Sequence, residues 1–430
     1  DVTLQLRGLA FDDSRTLRFA GADSGANGQD ASLRIVGRGR WAFDALAYAQ
    51  VRDFDNVVIS ATSSRKVLDQ YKTPSTGFGG KLELRPPVGG GHVLRLGTDW
   101  RVTSGTMRET AFNGGTGAIT AQRRASGRNS DLGLFVEDDW SLGALVLAAG
   151  ARADRWAIRA GRFVQTDGSG NPVADLAFPA RSGWATSLRG GVRIALANGL
   201  TLRGAGYTGL RLPTLNELYR PFAVFPVTTQ ANAALRNERL RGFEAGVDFA
   251  PAPGLALSVT AFSNRVRHAI ANVTVGTNLR QRQNVDAVRA RGVELGARAM
   301  LGVFSLDGSL ALTDAEVQGS GSSLALDGMR PAQTPRLAAS ATLGWRPRQG
   351  WDLALTLRRI GAQFEDDLES DQLRAATTLD AFATVPLARN FSMVLRGENL
   401  IGSRVVTRNQ AGSIDLGTPR TLWAGLRLGL

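Results

Sequence analysis

The strongest constraint on the fold is a recurring two-residue alternation of apolar and polar side chains. In 143–154 one set of alternate positions is apolar, while the other ends in Arg152 and Asp154. In 243–249 the odd positions are apolar, and Glu244 and Asp248 fall on the opposite face. A period of two with one apolar face is typical of β-strands. The same pattern returns in 293–299 and 351–358.

The polar face decides between two kinds of sheet. A soluble sheet packs its apolar face on a core and leaves the other face in water. Here the opposite face carries charged residues in strand after strand, and no segment has a helical pattern that could cover the apolar side. No run approaches the ~18–20 apolar residues that a spanning helix needs, whereas a barrel strand needs only ~9–11. The sequence therefore favours a transmembrane barrel with a polar lumen.

The connections between strands alternate between short and long. Tight turns are predicted near Gly39, 86–91, 141–143, 197–199, 251–254, 301–302, 347–350 and 386–390. Longer polar connections are predicted at 12–30, 60–76, 109–128, 161–183, 210–238, 273–284, 317–335, 364–375 and 401–418. Outer-membrane barrels have this asymmetry, with short periplasmic turns and long extracellular loops. We predict an all-β, antiparallel transmembrane barrel with about 18 strands in this chain, both ends of which lie on the periplasmic side.

Composition excludes several other functions. The net charge is +13, but only three of the 51 basic residues are lysine, and the arginines are spread among carboxylates without a basic run, so we expect no nucleic-acid partner. The absence of cysteine is compatible with export. There are two histidines, far apart in the pattern, and no nucleophile or phosphate-binding motif, so we expect no enzyme activity.

Three ordered segments resemble a known family. Residues 209–219, read as GLRLPTLNELY, are similar to the "FRAP…NELY" segment of TonB-dependent outer-membrane receptors. Residues 232–239, read as NAALRNER, resemble the "NPNLKPE" box of that family, with alanine at two of its positions. Glu398-Asn399-Leu400 and the final alternating strand after Gly417 resemble its closing strands.

The resemblance carries expectations for the whole chain. Residues 1–430 would be the receptor barrel, part of a barrel of about 22 strands, with an N-terminal plug and the first strands outside this chain. The location would be the outer membrane of a Gram-negative cell, in contact with lipid and lipopolysaccharide, and the TonB–ExbB–ExbD complex would supply energy. The ligand would most readily be a ferric siderophore. A cobalamin or other non-iron receptor and a passive 18-stranded porin stay open as alternatives.

The mid-chain motif supplies candidate ligand contacts. Family receptors for haem carry a histidine between the two boxes, but 220–231 contains none, which disfavours haem. Arginine beside aromatic rings suits an anionic or aromatic metal chelate. The alternative is a packed loop that supports itself. The candidates are Arg211, Tyr219, Arg220, Phe222, Phe225 and Arg236.

An acidic loop supplies a candidate cation site. Ca²⁺ takes 6–8 oxygen ligands, and a run of carboxylates can provide several of them. The alternative is an ordinary solvated loop, and no cofactor is required by the pattern. The candidate ligands are Glu365, Asp366, Asp367, Glu369 and Asp371.

Overall fold

The computed structural model describes residues 1–17, 19–60, 63–224, 227–410 and 413–429. Over these residues the chain is almost entirely β-structure, with one short α-helix, α1 (Leu215–Tyr219), and two 3-10 turns, Ala197–Gly199 and Gly321–Leu326. Among the described residues, none of the helices has the length and apolar character required to cross a membrane.

Twenty strands of the described chain form one antiparallel sheet, and eight shorter strands lie in its connections. The strands, in chain order, are β1 Val2–Thr16, β2 Asp23–Gly37, β3 Ala42–Ile59, β4 Lys66–Lys72, β5 Ser75–Arg85, β6 His92–Phe112, β7 Ile119–Leu142, β8 Leu145–Asp167, β9 Pro172–Phe178, β10 Arg181–Ala195, β11 Leu200–Arg211, β12 Phe222–Val224, β13 Val227–Gln230, β14 Glu238–Ala252, β15 Leu255–Arg267, β16 Ile270–Gly276, β17 Leu279–Asn284, β18 Ala287–Leu301, β19 Phe304–Gln318, β20 Leu337–Trp345, β21 Asp352–Ile360, β22 Gln363–Phe364, β23 Gln372–Leu373, β24 Ala376–Ala388, β25 Phe391–Glu398, β26 Val406–Gln410, β27 Ser413–Leu416 and β28 Thr421–Leu428.

The large sheet is a meander in which each strand pairs with its neighbours in the chain. Strands β4 and β5 lie one after the other between the same two strands, β3 and β6. Strands β9 and β10 likewise both pair with β8. Each of these two pairs occupies one place in the wall, so the wall has the predicted 18 places. Within the described chain, β1 pairs with β2 and β28 pairs with β25, and no pairing joins β1 to β28.

The two faces of the wall have the predicted character. On β7 the side chains of Leu132, Leu134 and Val136 are exposed, while Asp131 and Glu137 fall on the opposite face. On that polar face Arg152 of β8 donates hydrogen bonds to Asp99 on β6 and to Asp154, two residues further along β8. Charge pairing on the inner face and exposed apolar side chains on the outer face fit a polar lumen and a lipid-facing exterior.

The eight predicted tight turns are confirmed. Gly143, Gly254 and Gly302 lie at turn positions with positive φ, which glycine adopts without steric cost. They mark the tight-turn end of the wall. The opposite end is called the long-loop end below.

Five predicted long connections are instead mostly strand, and one of them, 273–284, falls within β16 and β17 apart from the turn at 277–278. The segments 12–30, 60–76, 109–128 and 161–183 belong largely to the hairpins around β1–β2, β3–β4, β6–β7 and β8–β9, and only short tips remain irregular. Few of their residues are large and apolar, because the outer side of strands that project beyond the lipid meets water, while inward positions such as Glu109 and Gly161 are buried against the loops. The apolar alternation disappears there, but the backbone pairing continues.

Candidate functional site

The helix α1 lies at the long-loop end, and a capping box in its own sequence determines where it begins. The side-chain oxygen of Thr214 accepts a hydrogen bond from the backbone N–H of Glu217 at 3.2 Å, and Glu217 Oε2 accepts one from the N–H of Thr214 at 2.7 Å. This reciprocal capping box satisfies backbone donors that a helix start leaves free. The Thr-Leu-Asn-Glu run of the first motif therefore fixes where the helix begins.

Arg211 joins the two sequence motifs. Its Nη1 and Nη2 each donate to Glu217 at 3.1 Å, and its Nε donates to Glu238 of the second motif. A planar guanidinium shared between two carboxylates is a charge-assisted contact of defined geometry. It holds the end of β11, the start of β14 and α1 together.

The capping box makes the loop sensitive to acid. Burial raises the pKa of Glu217, but hydrogen bonds from Arg211 and Thr214 outweigh burial, so the pKa lies below its ordinary value of 4.5. A lowered carboxylate pKa stabilises the fold above the unfolded pKa, and this stabilisation is lost as the pH falls through the folded pKa. In the full-length protein we expect 210–238 to become more protease-sensitive as the pH falls below the ordinary glutamate pKa of 4.5 and through the lower pKa of folded Glu217. Glu217→Gln, which keeps a capping side chain but cannot titrate, is expected to abolish that difference, and an unchanged pH response in this variant would contradict the assignment.

The last residue of α1 occupies a socket on the inner wall. Tyr219 is 3% exposed, and its ring stacks on Phe178 with 4.9 Å between centroids. A Cβ at Gly161 would lie 2.4 Å from the ring of Tyr219, and one at Gly127 would lie 2.9 Å from it. Only glycine at these two positions leaves room for the ring.

A bulge in β8 keeps this socket on the inner face. The pairing of β7 with β8 shifts between Ser126 and Arg128, and Ala160 has a φ of +53°. The extra residue allows Ile158 before it and Gly161 after it to face the same side. Ile158, Leu218 and Leu235, each 1% exposed, complete an apolar cluster around the ring.

A buried charge network anchors the loop to the neighbouring wall. Glu109 on β6 is 1% exposed and accepts hydrogen bonds from Arg123 Nη1 at 3.1 Å and from Arg220 Nη2 at 3.3 Å. Arg220 also donates to Gln70 Oε1 on β4 at 2.6 Å. Burial of a carboxylate is tolerated when it is paired in this way.

Two adjacent connections share a small sheet above the socket. Strands β12, β13, β17 and β16 form a four-stranded sheet in which β13 runs parallel to β17. Arg282 of β17 donates to the carbonyl oxygen of Arg220 at 3.1 Å and to that of Asn216, and lies over the Phe222 ring at 4.9 Å. We call this four-stranded sheet the roof.

The predicted ligand contacts fall into three groups. Arg211, Tyr219 and Arg220 are engaged in the interactions described above, which hold the loop. Phe222 is half-buried beneath Arg282, and the Arg236 side chain is exposed. Phe225 lies outside the described residues. Contact of these residues with a ligand stays a prediction.

The five predicted calcium ligands make separate contacts. Asp366, 2% exposed, accepts hydrogen bonds from the N–H groups of Leu368, Ser370 and Asp371 and so caps its own loop. Asp367 pairs with Arg280 at 3.3 Å, and Glu369 accepts from the N–H of Arg330.

The remaining two calcium candidates also have other contacts. Glu365 accepts from Gln333 Nε2, and the backbone carbonyl oxygen of Asp371 accepts from the N–H of Glu365. In the part of the chain that the structure describes, no group of three or more acidic, histidine or cysteine side chains is arranged to hold a metal ion. Calcium binding would require rearrangement of this loop and stays a prediction.

Several residues of the site gave no signal in the sequence. Glu109 lies inside a segment predicted as a loop, and Gly127, Gly161 and Phe178 lie far from the motif that they contact. Arg282 was also missed, because its role depends on the parallel pairing of two separate loops. Glycine is so frequent in this chain, at 51 residues, that two glycines of a socket cannot be singled out.

Comparison with known families matches nearly the whole chain. Residues 3–400 match the family described as TonB dependent receptor-like, beta-barrel. A stretch of 209 residues is 28% identical to the metal-pseudopaline receptor CntO of Pseudomonas aeruginosa strain PAO1, which covers 47% of this chain and 29% of CntO. The matched stretch thus spans less than a third of that curated relative.

Comparison with solved structures shows the same fold. The ferric yersiniabactin uptake receptor FyuA from Yersinia pestis superposes with a TM-score of 0.77 at 14% identity, over 95% of this chain and 62% of FyuA. The copper transporter OprC superposes with a TM-score of 0.78 at 17% identity, over 100% of this chain and 69% of OprC. These likenesses concern the architecture.

Proposed function

The chain belongs to the TonB-dependent receptor β-barrel family, and from this premise we propose that it forms the barrel of an outer-membrane receptor that captures a metal chelate and imports it with energy from TonB. Membership agrees with the expectation that the protein is a transporter-type receptor rather than an enzyme. A ferric siderophore is the proposed ligand. The family match over 3–400 is the observation that carries the proposal.

The nature of the ligand rests on two supports. Proteins similar to this chain are named for metal-pseudopaline, ferric yersiniabactin and copper, so a metal or its chelate is a common theme among them. At the long-loop end, Arg236 is exposed beside the roof, where a guanidinium suits the carboxylate or catecholate oxygens of such a chelate. Phe222, which belongs to the same roof, would supply an aromatic surface there.

The remaining parts of the receptor are also proposed. We infer that an N-terminal plug and further strands, outside the described wall, complete the receptor in a Gram-negative outer membrane. In the described chain the outer edges of β1 and β28 have no paired strand, and this supports the inference, since a sheet edge exposed to hydrocarbon leaves backbone groups unsatisfied. The plug would engage the TonB–ExbB–ExbD complex.

The test compares ligands and two arginine variants of the full-length receptor. Binding would be titrated with ferric catecholate, ferric hydroxamate, a metal–aminocarboxylate chelate and cobalamin, and growth on the best chelate would be compared with and without TonB. We expect a ferric chelate to bind tightest and growth to need TonB. Arg236→Gln is expected to weaken that binding by about tenfold, the loss of one charge-assisted hydrogen bond, while leaving the protease resistance of the loop intact.

The matched control is Arg211→Gln, which removes the same charge from the clamp between Glu217 and Glu238. This variant is expected to raise the protease sensitivity of 210–238 as well as to weaken binding. If cobalamin alone bound tightly, the ferric siderophore would be wrong as the proposed ligand and cobalamin would take its place. Ion conductance by the purified protein, with no tight binding and no need for TonB, would favour the porin alternative.

A further inference from the structure

The outer face of the wall carries a cluster of arginines at the long-loop end. In the strand register Arg239 lies opposite Arg267, and Arg241 lies opposite Arg265. Arg265 in turn lies opposite Arg289 on the next strand. We call the six arginines of β14, β15 and β18 in this region the arginine patch: Arg239, Arg241, Arg265, Arg267, Arg289 and Arg291.

The patch lies directly beyond the apolar belt. Its members share the outward parity of Phe243, Val259 and Val293, whose side chains are 60%, 45% and 36% exposed. Arg241 precedes Phe243 by two residues in β14, so it lies about 7 Å closer to the long-loop end along the strand. The headgroups of a membrane leaflet begin at this boundary of the hydrocarbon.

The charge of the patch is only partly compensated by protein. Arg291 pairs with Asp314 at 3.2 Å, and Arg289 lies 3.7 Å from Glu316. The other four arginines have no ion pair with any carboxylate of the described chain. Like charges directly opposite one another across a sheet destabilise it, so two such pairs side by side call for an anion from outside the chain.

The turn next to the patch reflects the same positive potential. His268 follows Arg267 between β15 and β16. Burial lowers the pKa of His268, and the charges of Arg236, Arg267 and Arg239 lower it further. A site that disfavours a further proton in this way attracts anions.

We propose that the arginine patch binds the phosphate groups of phosphorylated saccharide headgroups on lipids of the outer leaflet. Guanidinium groups bind phosphate oxygens in pairs of parallel hydrogen bonds, which suits rows of opposed arginines. The acyl chains of such a lipid would lie on Phe243, Val259 and Val293, in line with the arginines. The inference rests on the proposed function only for the orientation of the long-loop end towards the outside.

The test measures lipid binding to the full-length receptor in detergent by native mass spectrometry. The probes are lipid A with two phosphates, monophosphoryl lipid A, phosphatidylglycerol and inorganic phosphate. We expect bisphosphorylated lipid A to bind tightest. Simultaneous Arg→Gln substitution at Arg239, Arg241, Arg265 and Arg267 is expected to weaken it by tenfold or more, since each arginine contributes a charge-assisted contact.

A charge-matched control removes four arginines at the tight-turn end: Arg40, Arg346, Arg348 and Arg389, which are all exposed. This control is expected to leave lipid A binding within about twofold of the parent, because these residues lie at the opposite leaflet. Equal losses in the two quartets would overturn the proposal.

The series of lipid probes on the unmodified protein tests the proposal even if the variant with four substitutions in the arginine patch fails to fold. Equal affinity for phosphatidylglycerol would overturn recognition of the phosphorylated saccharide, and displacement of lipid A by inorganic phosphate at equal concentration would assign the site to free phosphate instead. Because binding is measured without uptake, failure here leaves the proposed transport function untouched, and failure of transport leaves this result standing.

Discussion

Tyr219→Ala is expected to release the 210–238 connection from the inner wall. The side chain is 3% exposed, stacks on Phe178 and fills the space above Gly127 and Gly161. Truncation of a large buried aromatic side chain costs about 3–5 kcal/mol. Because α1 has only five residues and cannot persist alone, we expect this cost to appear as local opening. Limited proteolysis of the full-length receptor in detergent would show new cleavage between 212 and 237.

The matched control is Tyr219→Phe. No hydrogen bond from the Tyr219 hydroxyl is found among the described residues, so phenylalanine is expected to preserve the socket and the protease resistance. Gly161→Val, which places atoms where the ring lies, is expected to open the loop as Tyr219→Ala does. Resistance of the loop in both Tyr219→Ala and Gly161→Val would show that the socket does not hold it.

Glu109→Ala is expected to have a comparable effect on the barrel itself. It removes the carboxylate that Arg123 and Arg220 share and leaves their charges against a buried surface. Removal of one member of a buried ion pair costs about 3–5 kcal/mol. We expect a lower unfolding temperature of the full-length receptor in detergent, followed by the loss of the compact form on cold SDS gels, together with protease sensitivity near Arg220.

An exposed carboxylate provides the comparison. In Glu316→Ala the lost partner is Arg289 at 3.7 Å, and both side chains are 42% exposed. Surface ion pairs contribute about 0–1 kcal/mol, so the unfolding temperature is expected to stay near that of the parent. Similar shifts in both variants would mean that burial of Glu109 is not the source of its effect.

The sequence was informative wherever a structural constraint repeats along the chain. Lipid on one side and a polar lumen on the other impose a period of two on every spanning strand, so the wall and its tight turns could be predicted. The hairpin extensions could not, because their outer side lies beyond the lipid and they carry no apolar alternation. The bulge at Ala160 was also invisible, since alanine rather than glycine holds the positive φ.

The candidate site was predicted by location rather than by role. The motif around Arg211 and Tyr219 was placed correctly at the long-loop end, but those side chains hold the loop, through partners at Glu217, Glu238 and Phe178. Sequence periodicity carries no information on contacts such as Tyr219 with Gly161, which are 58 positions apart in the chain. A residue motif therefore indicates that a segment is constrained and does not say whether a ligand or the protein imposes the constraint.

The parallel pairing of β13 with β17 has a consequence for how such a receptor can change its specificity. Thr228 pairs with Leu279 and Gln230 with Gln281, so the connection from β11 to β14 and the connection from β15 to β18 are stitched into one sheet. Exchange of either connection alone, by recombination or by design, would leave one β-strand edge of the roof unpaired and break the hydrogen bonds between Arg282 and the carbonyl oxygens of Asn216 and Arg220. The two connections form a single module, and grafts between receptors of this type should transfer them together.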